Sequence, residues 1–423
     1  MGSVTAKPHV LIIGGGLGGL LLAQGLRKYN ISCEVFERDD SPVSRTPGWA
    51  IAIHSLRDDI LSIIPDDLPP LKQAVDHLMP LNLDAEIGIY SQGQRAVVRS
   101  TPEAPIIRAN RFRFREWLST NVTIRWGKRA TRVEELKEEL GGGVRVHFED
   151  GTTAAGDIVV GADGVNSIVR EHVLQRPNKE TLSAIPAVVL VGEATMSGDA
   201  FLRQLSLGHS CYMTNDPVAN RYFIFVGLRQ VADTGDSGRY YWLLVSADPT
   251  FTGDGKNSDG TRHWTSTATK PELLARALEM TSTMDPKFTE VIRSTTAADM
   301  LDGPMVIRDV SADISDLPVS RVTLLGDAIH PMSPFRGEGA MHAFRDAIAL
   351  AKALGKLTSN DWPTIKEIIG AYQKEIVQRG GDAARASRNA LKVNSGGHGT
   401  MFAWGQPAAP APEKVVTFES IRT

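Results

Sequence analysis

The sequence of 423 residues contains only two cysteines, Cys33 and Cys211, which stand far apart in the chain. Neither belongs to a Cys-x-x-Cys pair or to a pattern with the spacing of a zinc site. This scarcity argues against a disulfide framework and against a thiolate metal site, so we expect no bound metal. A reducing compartment suits such a chain, and we predict that the protein is cytoplasmic.

The chain also lacks an excess of charge of one sign and any long apolar run. Its formal net charge is −3, which gives no field that would attract nucleic acid. No apolar run approaches the roughly 20 residues that a membrane-spanning helix needs. We therefore expect neither nucleic acid nor a membrane as a partner.

The chain is long and has a high content of apolar residues. Hydrophobic residues make up 42% of it and charged residues 22%, the balance of a globular protein. Because single cores seldom grow beyond roughly 250 to 300 residues, this length favours two domains. Strand-like runs over residues 187–191, 221–228 and 240–245 predict an antiparallel sheet in the middle of the chain.

The beginning of the chain has the order of a nucleotide-binding βαβ unit. Residues 9–13 form a short apolar run, glycines follow, residues 20–29 have helical character, and residues 32–36 have the pattern of a second strand. Strand, glycine turn, helix and strand within about thirty residues are typical of this unit.

The glycine turn supplies the first candidate site. Gly14, Gly16 and Gly19 form G-x-G-x-x-G, which lets the backbone approach a pyrophosphate at a helix N-terminus. Glu37 ends the second strand and is placed to accept hydrogen bonds from a ribose diol. This pattern leaves FAD and NAD both open. The residues assigned to the dinucleotide here are Gly14, Gly16, Leu17, Gly18, Gly19, Glu37 and Arg38.

Two later segments decide between these cofactors. Residues 161–170 read GADGVNSIVR, and residues 326–339 read GDAIHPMSPFRGEG. They resemble the second and third fingerprints of the group A flavoprotein monooxygenases, the para-hydroxybenzoate hydroxylase family. With the opening glycines, the resemblance extends from about residue 9 to about residue 350 and favours FAD.

The resemblance implies an α/β fold: a Rossmann-type FAD-binding domain with an interleaved antiparallel-sheet substrate domain, as in para-hydroxybenzoate hydroxylase. On this basis we predict that residues 1–80, 106–182 and 301–393 form the discontinuous FAD-binding domain. Residues 81–105 and 183–300 are then the substrate domain. Residues 394–423, rich in Gly, Ala and Pro, are predicted to be a flexible C-terminal tail.

Roles for individual residues follow from the resemblance. Asp327 is implied to bind the ribityl chain of FAD, and residues 161–164 are implied to serve both the FAD pyrophosphate and the nicotinamide cofactor. Arg111 matches an arginine that approaches the ribityl and phosphate region, and the loop over residues 331–339 is implied to lie against the flavin ring. The cofactor residues assigned on this basis are Arg111, Asp163, Gly164, Gly326, Asp327, Pro334, Gly337, Gly339 and Ala340.

Some positions depart from the family pattern or carry a plainer interpretation. The family usually has Gln where Glu338 stands, and Arg336 precedes Gly337, which leaves the side-chain contacts of this loop open. We interpret Arg113 and Arg115 as a solvated basic face of a helix, and Asp346 as structural.

Candidates for substrate binding and catalysis rest on location alone. Trp49 and His54 occupy a segment that the family lays over the flavin edge, although a packed histidine is the plainer interpretation of His54. If the substrate is a phenol or an enol, a basic group must favour its anion. The catalytic candidates are Arg203, Tyr222 and His54, with His209 weighed beside them, and the pocket candidates are Trp49, Tyr212, Arg221 and Phe335.

The resemblance implies an oxidoreductase that takes electrons from NADPH or NADH. It would transfer one oxygen atom of O2 through a flavin C4a-hydroperoxide to an apolar or aromatic small molecule, such as a secondary metabolite. An FAD-dependent reductase or oxidase of the same fold, and a non-enzymatic escort protein, stay open as alternatives. An NAD-dependent dehydrogenase leaves Gly326 and Asp327 unexplained, and a flavin halogenase is disfavoured because no tryptophan has a second one two positions away.

Overall fold

The computed structural model of the protein describes residues 7–44, 48–137, 142–218, 221–310, 314, 317–394 and 408–421. The strands are β1 (Val10–Ile13), β2 (Cys33–Phe36), β3 (Ala50–Ile53), β4 (Glu86–Ser91), β5 (Gln94–Arg99), β6 (Ile107–Asn110), β7 (Ile124–Arg125), β8 (Ala130–Glu135), β9 (Val144–Phe148), β10 (Thr153–Gly156), β11 (Ile158–Gly161), β12 (Leu182–Ala184), β13 (Ala187–Ser197), β14 (Cys211–Asn215), β15 (Tyr222–Val231), β16 (Ser237–Ala247), β17 (Arg308–Val310), β18 (Val322–Leu324) and β19 (Ala409–Pro410).

The helices are α1 (Leu17–Lys28), α2 (Arg57–Ser62), α3 (Leu71–Val75), α4 (Arg111–Leu118), α5 (Ile168–Leu174), α6 (Asn178–Thr181), α7 (Gly198–Leu207), α8 (Lys270–Met280), α9 (Pro286–Arg293), α10 (Gly339–Leu354) and α11 (Trp362–Asn394). Short 3-10 turns include Gly326–Ala328 and Pro334–Arg336. Helix α10 follows these turns, and its apolar residues recur at helical spacing and face the core.

A five-stranded parallel sheet forms the nucleotide-binding half, in the order β18-β11-β1-β2-β7. The central strand β1, its neighbour β11 and the edge strand β18 are buried along their whole length, as expected for a sheet covered on both faces. Helices α1 and α10 contribute most of the apolar cover. The βαβ unit predicted from the first 37 residues is confirmed by β1, α1 and β2.

The register of these strands brings the three sequence motifs together. Ile13 of β1 lies beside Gly161 of β11, and Gly161 lies beside Leu324 of β18. Parallel neighbours end at the same edge of the sheet, so the loops after the three strands meet there.

A second sheet has seven strands in the order β13-β16-β15-β14-β4-β5-β19. Most neighbours are antiparallel, as predicted, whereas β14 and β4 pair in parallel. Side chains alternate between its faces. On β15, Tyr222 and Ile224 point to a core covered by α7, α8 and α9, while Phe223 and Phe225 point to the nucleotide-binding half.

Residues 408–421 are packed against the seven-stranded sheet, which corrects the predicted flexible tail for this part of the chain. Strand β19 pairs with β5, and Val416 and Ile421 are buried in the core under the helices. The Ile421 carbonyl accepts a hydrogen bond from the Asn82 amide at 3.1 Å. Residues 395–407 and 422–423, the rest of that predicted tail apart from residue 394 of α11, lie outside the described residues.

Two adjacent valines test this arrangement. Val416 is 6% exposed and Val415 is 85% exposed. We expect Val416→Ala to lower the free energy of unfolding by about 1 to 3 kcal/mol, because a buried side chain leaves a cavity. Val415→Ala should change it by less than about 0.5 kcal/mol. Equal midpoints for both variants in urea unfolding would contradict the buried position of Val416.

Candidate functional site

A cavity of about 550 Å³ lies at the carboxyl ends of β1, β11 and β18 and extends to the seven-stranded sheet. Its wall on the nucleotide-binding side includes the predicted residues Gly16, Leu17, Gly18, Gly19, Arg111, Gly164, Gly326, Asp327, Pro334, Phe335, Gly337, Gly339 and Ala340. The structure thus gathers the larger part of the motif residues around one space. Gly14, Glu37, Arg38, Asp163 and His54 do not line it.

The glycine turn after β1 is shaped by close backbone contacts. A Cβ on Gly14, whose φ is +113°, would come within 2.3 Å of the Ala162 carbonyl oxygen. A Cβ on Gly19 would meet the Gly14 carbonyl oxygen at the same distance. Gly16 faces open space at the start of α1, and no acidic residue stands in the first turn of that helix. The turn therefore presents backbone amides to the cavity, which suits an anion such as a pyrophosphate.

Glu37 is buried and stabilises the glycine turn through a hydrogen bond to its backbone. Its carboxylate accepts hydrogen bonds from the Gly15 amide at 2.7 Å and the Asp39 amide at 3.0 Å. Arg115 lies 3.4 Å from the same carboxylate and donates to the Gly15 carbonyl at 2.9 Å. Arg115 is only 5% exposed, so its interpretation as a solvated residue is corrected. Helical spacing alone does not reveal which arginine of α4 turns inward.

The carboxylate of Asp163 accepts hydrogen bonds from other residues of the second motif. It accepts hydrogen bonds from the Ile168 and Val169 amides, at 2.8 and 3.3 Å, and from the Ser167 hydroxyl. The carboxylate lies at the start of α5 and does not line the cavity, whereas Ala162 and Gly164 on either side of Asp163 do. A cofactor contact by Asp163 stays a prediction.

Arg170, which had no predicted role, connects the second motif to the third. The side chain is fully buried and donates to the Ala328 carbonyl at 3.0 Å and the Asp327 carbonyl at 3.3 Å. Arg170 also donates to the Val165 carbonyl at 2.5 Å. One guanidinium therefore holds the loops after β11 and β18 at a fixed spacing.

Asp327 lines the cavity with an exposed side chain. Among the described residues, no side chain or backbone donor hydrogen-bonds its carboxylate. Desolvation raises the pKa of Asp327 above its ordinary value of 3.8, although His330, Arg111 and Arg170 oppose that shift. A carboxylate in this position accepts hydrogen bonds from a polyhydroxy ligand.

Asp346 supports the turn that carries Asp327. Its fully buried carboxylate accepts hydrogen bonds from the Gly326 amide at 2.7 Å, from His330 Nε2 at 2.7 Å and from Arg379 at 2.5 Å. Burial acts against both charges, yet the pairing raises the pKa of His330 and lowers the pKa of Asp346. The structural role predicted for Asp346 is therefore that of a charged hub between the third motif and α11.

Aromatic residues and one buried arginine form the opposite wall of the cavity. Trp49 stacks on Tyr241 with ring centroids 4.9 Å apart, and its indole donates to Glu193 at 2.7 Å. Arg108 is 3% exposed, lies over the Phe225 ring and donates to the Tyr241 hydroxyl. The sequence analysis missed Arg108 and Tyr241, because they are 133 positions apart and belong to no motif.

The other predicted catalytic and pocket residues lie elsewhere. Tyr212 and Tyr222 face the helix-covered core, on the opposite side of the sheet from Phe223. Arg221 pairs with Asp216, and the exposed Arg203 pairs with Glu290. With Tyr222, Arg221 lines a separate cavity of about 570 Å³. The cavity at the motif loops therefore has none of Arg203, Tyr212, Arg221 and Tyr222 in its wall. Alternation along β15 turns Tyr222 to the opposite face from Phe223, and Arg203 lies on α7.

Both histidines weighed as proton carriers lie outside the cavity wall. His54 is half-buried beside the Ser55 hydroxyl at 3.2 Å, and burial together with Arg345 lowers its pKa. His209 contacts the Asp84 carbonyl at 2.9 Å. Their positions favour the plainer interpretation, a histidine with a structural contact.

Comparison with known proteins gives the family. Residues 12–52 match the NAD(P)-binding Rossmann-like domain, and residues 256–386 match the FAD binding domain family. The chain is 42% identical over 422 residues to the FAD-dependent monooxygenase thnD of Trichoderma harzianum, covering 98% of both chains. The chain belongs to the FAD-dependent monooxygenases. The family expected from the three motifs is confirmed.

Another FAD-dependent monooxygenase and two solved structures are more distant in sequence. The chain is 28% identical to cctM of Talaromyces islandicus, covering 92% of this chain and 94% of that one. Klebsiella pneumoniae HpxO, solved with FAD and uric acid, superposes with a TM-score of 0.70 at 20% identity over 92% of this chain and 89% of that one. 2,6-Dihydroxypyridine-3-hydroxylase from Arthrobacter nicotinovorans gives a TM-score of 0.68 at 18% identity, covering 97% and 100%. These likenesses confirm the predicted fold class.

The cavity of this monooxygenase fits its cofactor. FAD, for which NAD(P)H is the reductant, has a pyrophosphate that suits the open amides at Gly16 and a polyol that suits the unbonded carboxylate of Asp327. In the described part of the chain, no helix combines the length and apolar character that crossing a membrane requires.

The hub at Asp346 gives a stability test. Asp346→Asn should lower the free energy of unfolding by about 3 kcal/mol, because His330 and Arg379 lose their buried counter-charge. Because folding raises the pKa of His330, protonated His330 stabilises the fold fully below pH 6.5, its ordinary pKa, and this stabilisation is lost as pH rises through the folded-state pKa. Because folding lowers the pKa of Asp346, its carboxylate stabilises the fold above pH 3.8, its ordinary pKa, and this stabilisation is lost in more acidic solution. The difference from wild type in urea unfolding should therefore be greatest between about pH 4 and 6.5.

Asp382→Asn is the matched control, since Asp382 lies on α11 with its side chain 66% exposed. It should unfold like wild type at every pH. An Asp346→Asn protein as stable as this control would contradict the hub.

Proposed function

We propose that the cavity holds FAD with its pyrophosphate at the glycine turn, its ribityl chain at Asp327 and Arg111, and its ring beside the loop over residues 331–339. The convergence of three motif loops at one sheet edge carries this proposal. Glu37 and Arg38 lie on the adenosine side of the turn. The discontinuous division into an FAD-binding domain (1–80, 106–182 and 301–393) and a substrate domain (81–105 and 183–300) follows from the same arrangement.

The substrate, on this proposal, is an apolar or aromatic small molecule bound between the flavin ring and the seven-stranded sheet. The facing wall is apolar, with Val189, Phe223, Leu243 and Val245 beside the predicted pocket residues Trp49 and Phe335. Secondary metabolites with fused rings are a suitable class. Two solved relatives are named for ring compounds, uric acid in one complex and 2,6-dihydroxypyridine in the other.

Arg108 and Tyr241 are the polar groups that we propose orient this substrate. Burial raises the pKa of Tyr241 to about 12 even with Arg108 beside it, so its hydroxyl is protonated at neutral pH. Arg108 donates to that oxygen, which leaves the Tyr241 proton for an acceptor on the ligand. An oxygen of the substrate held there is fixed relative to the flavin ring.

FAD supplies the redox chemistry of the reaction, the activation of O2 with electrons from NAD(P)H. The protein binds and orients the two reactants and keeps water out. Its aromatic wall is suited to this task, since Tyr241, Phe225 and Phe335 are all less than 7% exposed. Cytoplasmic action without a nucleic-acid or membrane partner completes the proposal.

Cofactor binding is tested at Asp327. Asp327→Ala should give protein with at least tenfold weaker FAD affinity, because a charged acceptor for the polyol is lost. Asp327→Asn keeps one oxygen acceptor without the charge, so its FAD affinity should fall between those of wild type and Asp327→Ala. Flavin absorbance per purified chain and FAD titration measure the effect, and full occupancy in the alanine variant would refute the assignment.

Substrate orientation is tested with two neighbouring tyrosines. Tyr241→Phe should raise KM for a substrate, found by its stimulation of NADPH oxidation, by about tenfold, the loss expected for one buried hydrogen bond. Tyr240→Phe is the control, because Tyr240 faces the other core and is 1% exposed. FAD occupancy should stay unchanged in both. If both variants keep the wild-type KM, Tyr241 does not bind the substrate.

Oxygen incorporation separates this function from a reductase or oxidase of the same fold. Product formed under 18O2 should carry one labelled oxygen atom. A product without label, together with stoichiometric hydrogen peroxide, would favour the reductase or oxidase.

A further inference from the structure

The loop between β18 and α10 carries a salt bridge within three residues. The Arg336 guanidinium meets the Glu338 carboxylate through two hydrogen bonds, Nε to Oε2 and Nη2 to Oε1, each 2.9 Å long. The side chains are 29% and 18% exposed, and neither lines the cavity. The hydrogen bonds from Arg336 to Glu338 raise the pKa of Arg336, so the guanidinium stays charged at neutral pH.

The pair stands at the N-terminus of α10, where the helix begins at the cavity. Gly339 and Ala340 form its first turn and both line the cavity wall. No acidic residue lies within this turn, and Glu338 makes no side-chain capping bond to it. The unbonded amides and the helix dipole therefore give this part of the wall a positive potential.

Glu338 is the charge that would cancel this potential. A carboxylate one residue before the helix opposes the positive end of the dipole. Its field reaches beyond the loop: burial and Arg345 lower the pKa of His54, and the Glu338 carboxylate opposes that shift. Arg336 offsets the carboxylate with a bidentate contact, so the pair as a whole carries no net charge.

We propose that the Arg336–Glu338 pair sets the reduction potential of the bound flavin by keeping the start of α10 electropositive. This inference rests on the proposed position of the ring beside residues 331–339. Hydride transfer from NAD(P)H brings two electrons and one proton, which leaves NAD(P)+ and adds one negative charge to the ring. A positive wall favours that charge, and an unpaired carboxylate disfavours it.

Three variants separate the two charges. Arg336→Gln leaves the Glu338 carboxylate without its counter-charge and should lower the midpoint potential of the bound flavin. Glu338→Gln leaves the Arg336 guanidinium without its counter-charge and should raise that potential. The double variant should return close to wild type, because positions 336 and 338 together again carry no net charge. Each single change is expected to shift the oxidised-to-reduced equilibrium by up to about tenfold, or about 30 mV for a two-electron couple.

The measurement is a spectroscopic redox titration of the purified holoenzyme against a reference dye. Arg125→Gln is the control, since Arg125 also pairs with a glutamate, donating twice to one carboxylate oxygen of Glu34, but lies on β7, at the edge of the parallel sheet opposite β18. It should leave the potential unchanged. The bound oxidised ring is uncharged, so FAD affinity should stay within about twofold of wild type in all variants.

The outcomes distinguish this inference from the proposed function. Potentials that move in opposite directions and cancel in the double variant support the pair as a redox-tuning element. Wild-type potentials in both single variants, with FAD bound, overturn it and leave the cofactor site intact. Wild-type protein that binds no FAD would instead overturn the proposed function.

Discussion

The parallel register of β1, β11 and β18 is the constraint on which the site depends. Ile13, Gly161 and Leu324 lie side by side, so three loops from widely separated parts of the chain leave the sheet at one edge. A slip of one residue in either pairing would turn the buried side chains of a strand to the other face. Complete burial of all three strands makes such a slip costly, and this fixes the cavity floor.

Buried charges then hold the loops in position. Arg115 and Glu37 fasten the first loop, Arg170 connects the second to the third, and Asp346 binds the third to α10 and α11. Each of these groups is ion-paired or, like Arg170, hydrogen-bonded to neutral acceptors, as a charge removed from water must be. The result is a rigid frame in which the unbonded Asp327 carboxylate lines the cavity.

The substrate side is built differently. Both faces of β13, β15 and β16 are buried, one under helices and the other over the nucleotide-binding half. The cavity wall therefore consists of every second residue of these strands, with Arg108 reaching it from β6. This arrangement makes a mainly apolar surface that can change with few substitutions while the cofactor frame stays the same.

The βαβ unit, the three motifs and the family could be predicted from the sequence, because these depend on short spacings and on backbone conformations that glycines allow. The sequence did not reveal that Arg203, Tyr212, Arg221 and Tyr222 lie outside the cavity wall, and it indicated no role for Arg108, Tyr241 or Arg170. A strand buried on both faces shows no alternation of polar and apolar residues, so nothing local tells which side faces the cavity. Only the tertiary structure decides which side chains, more than a hundred positions apart, meet across that space.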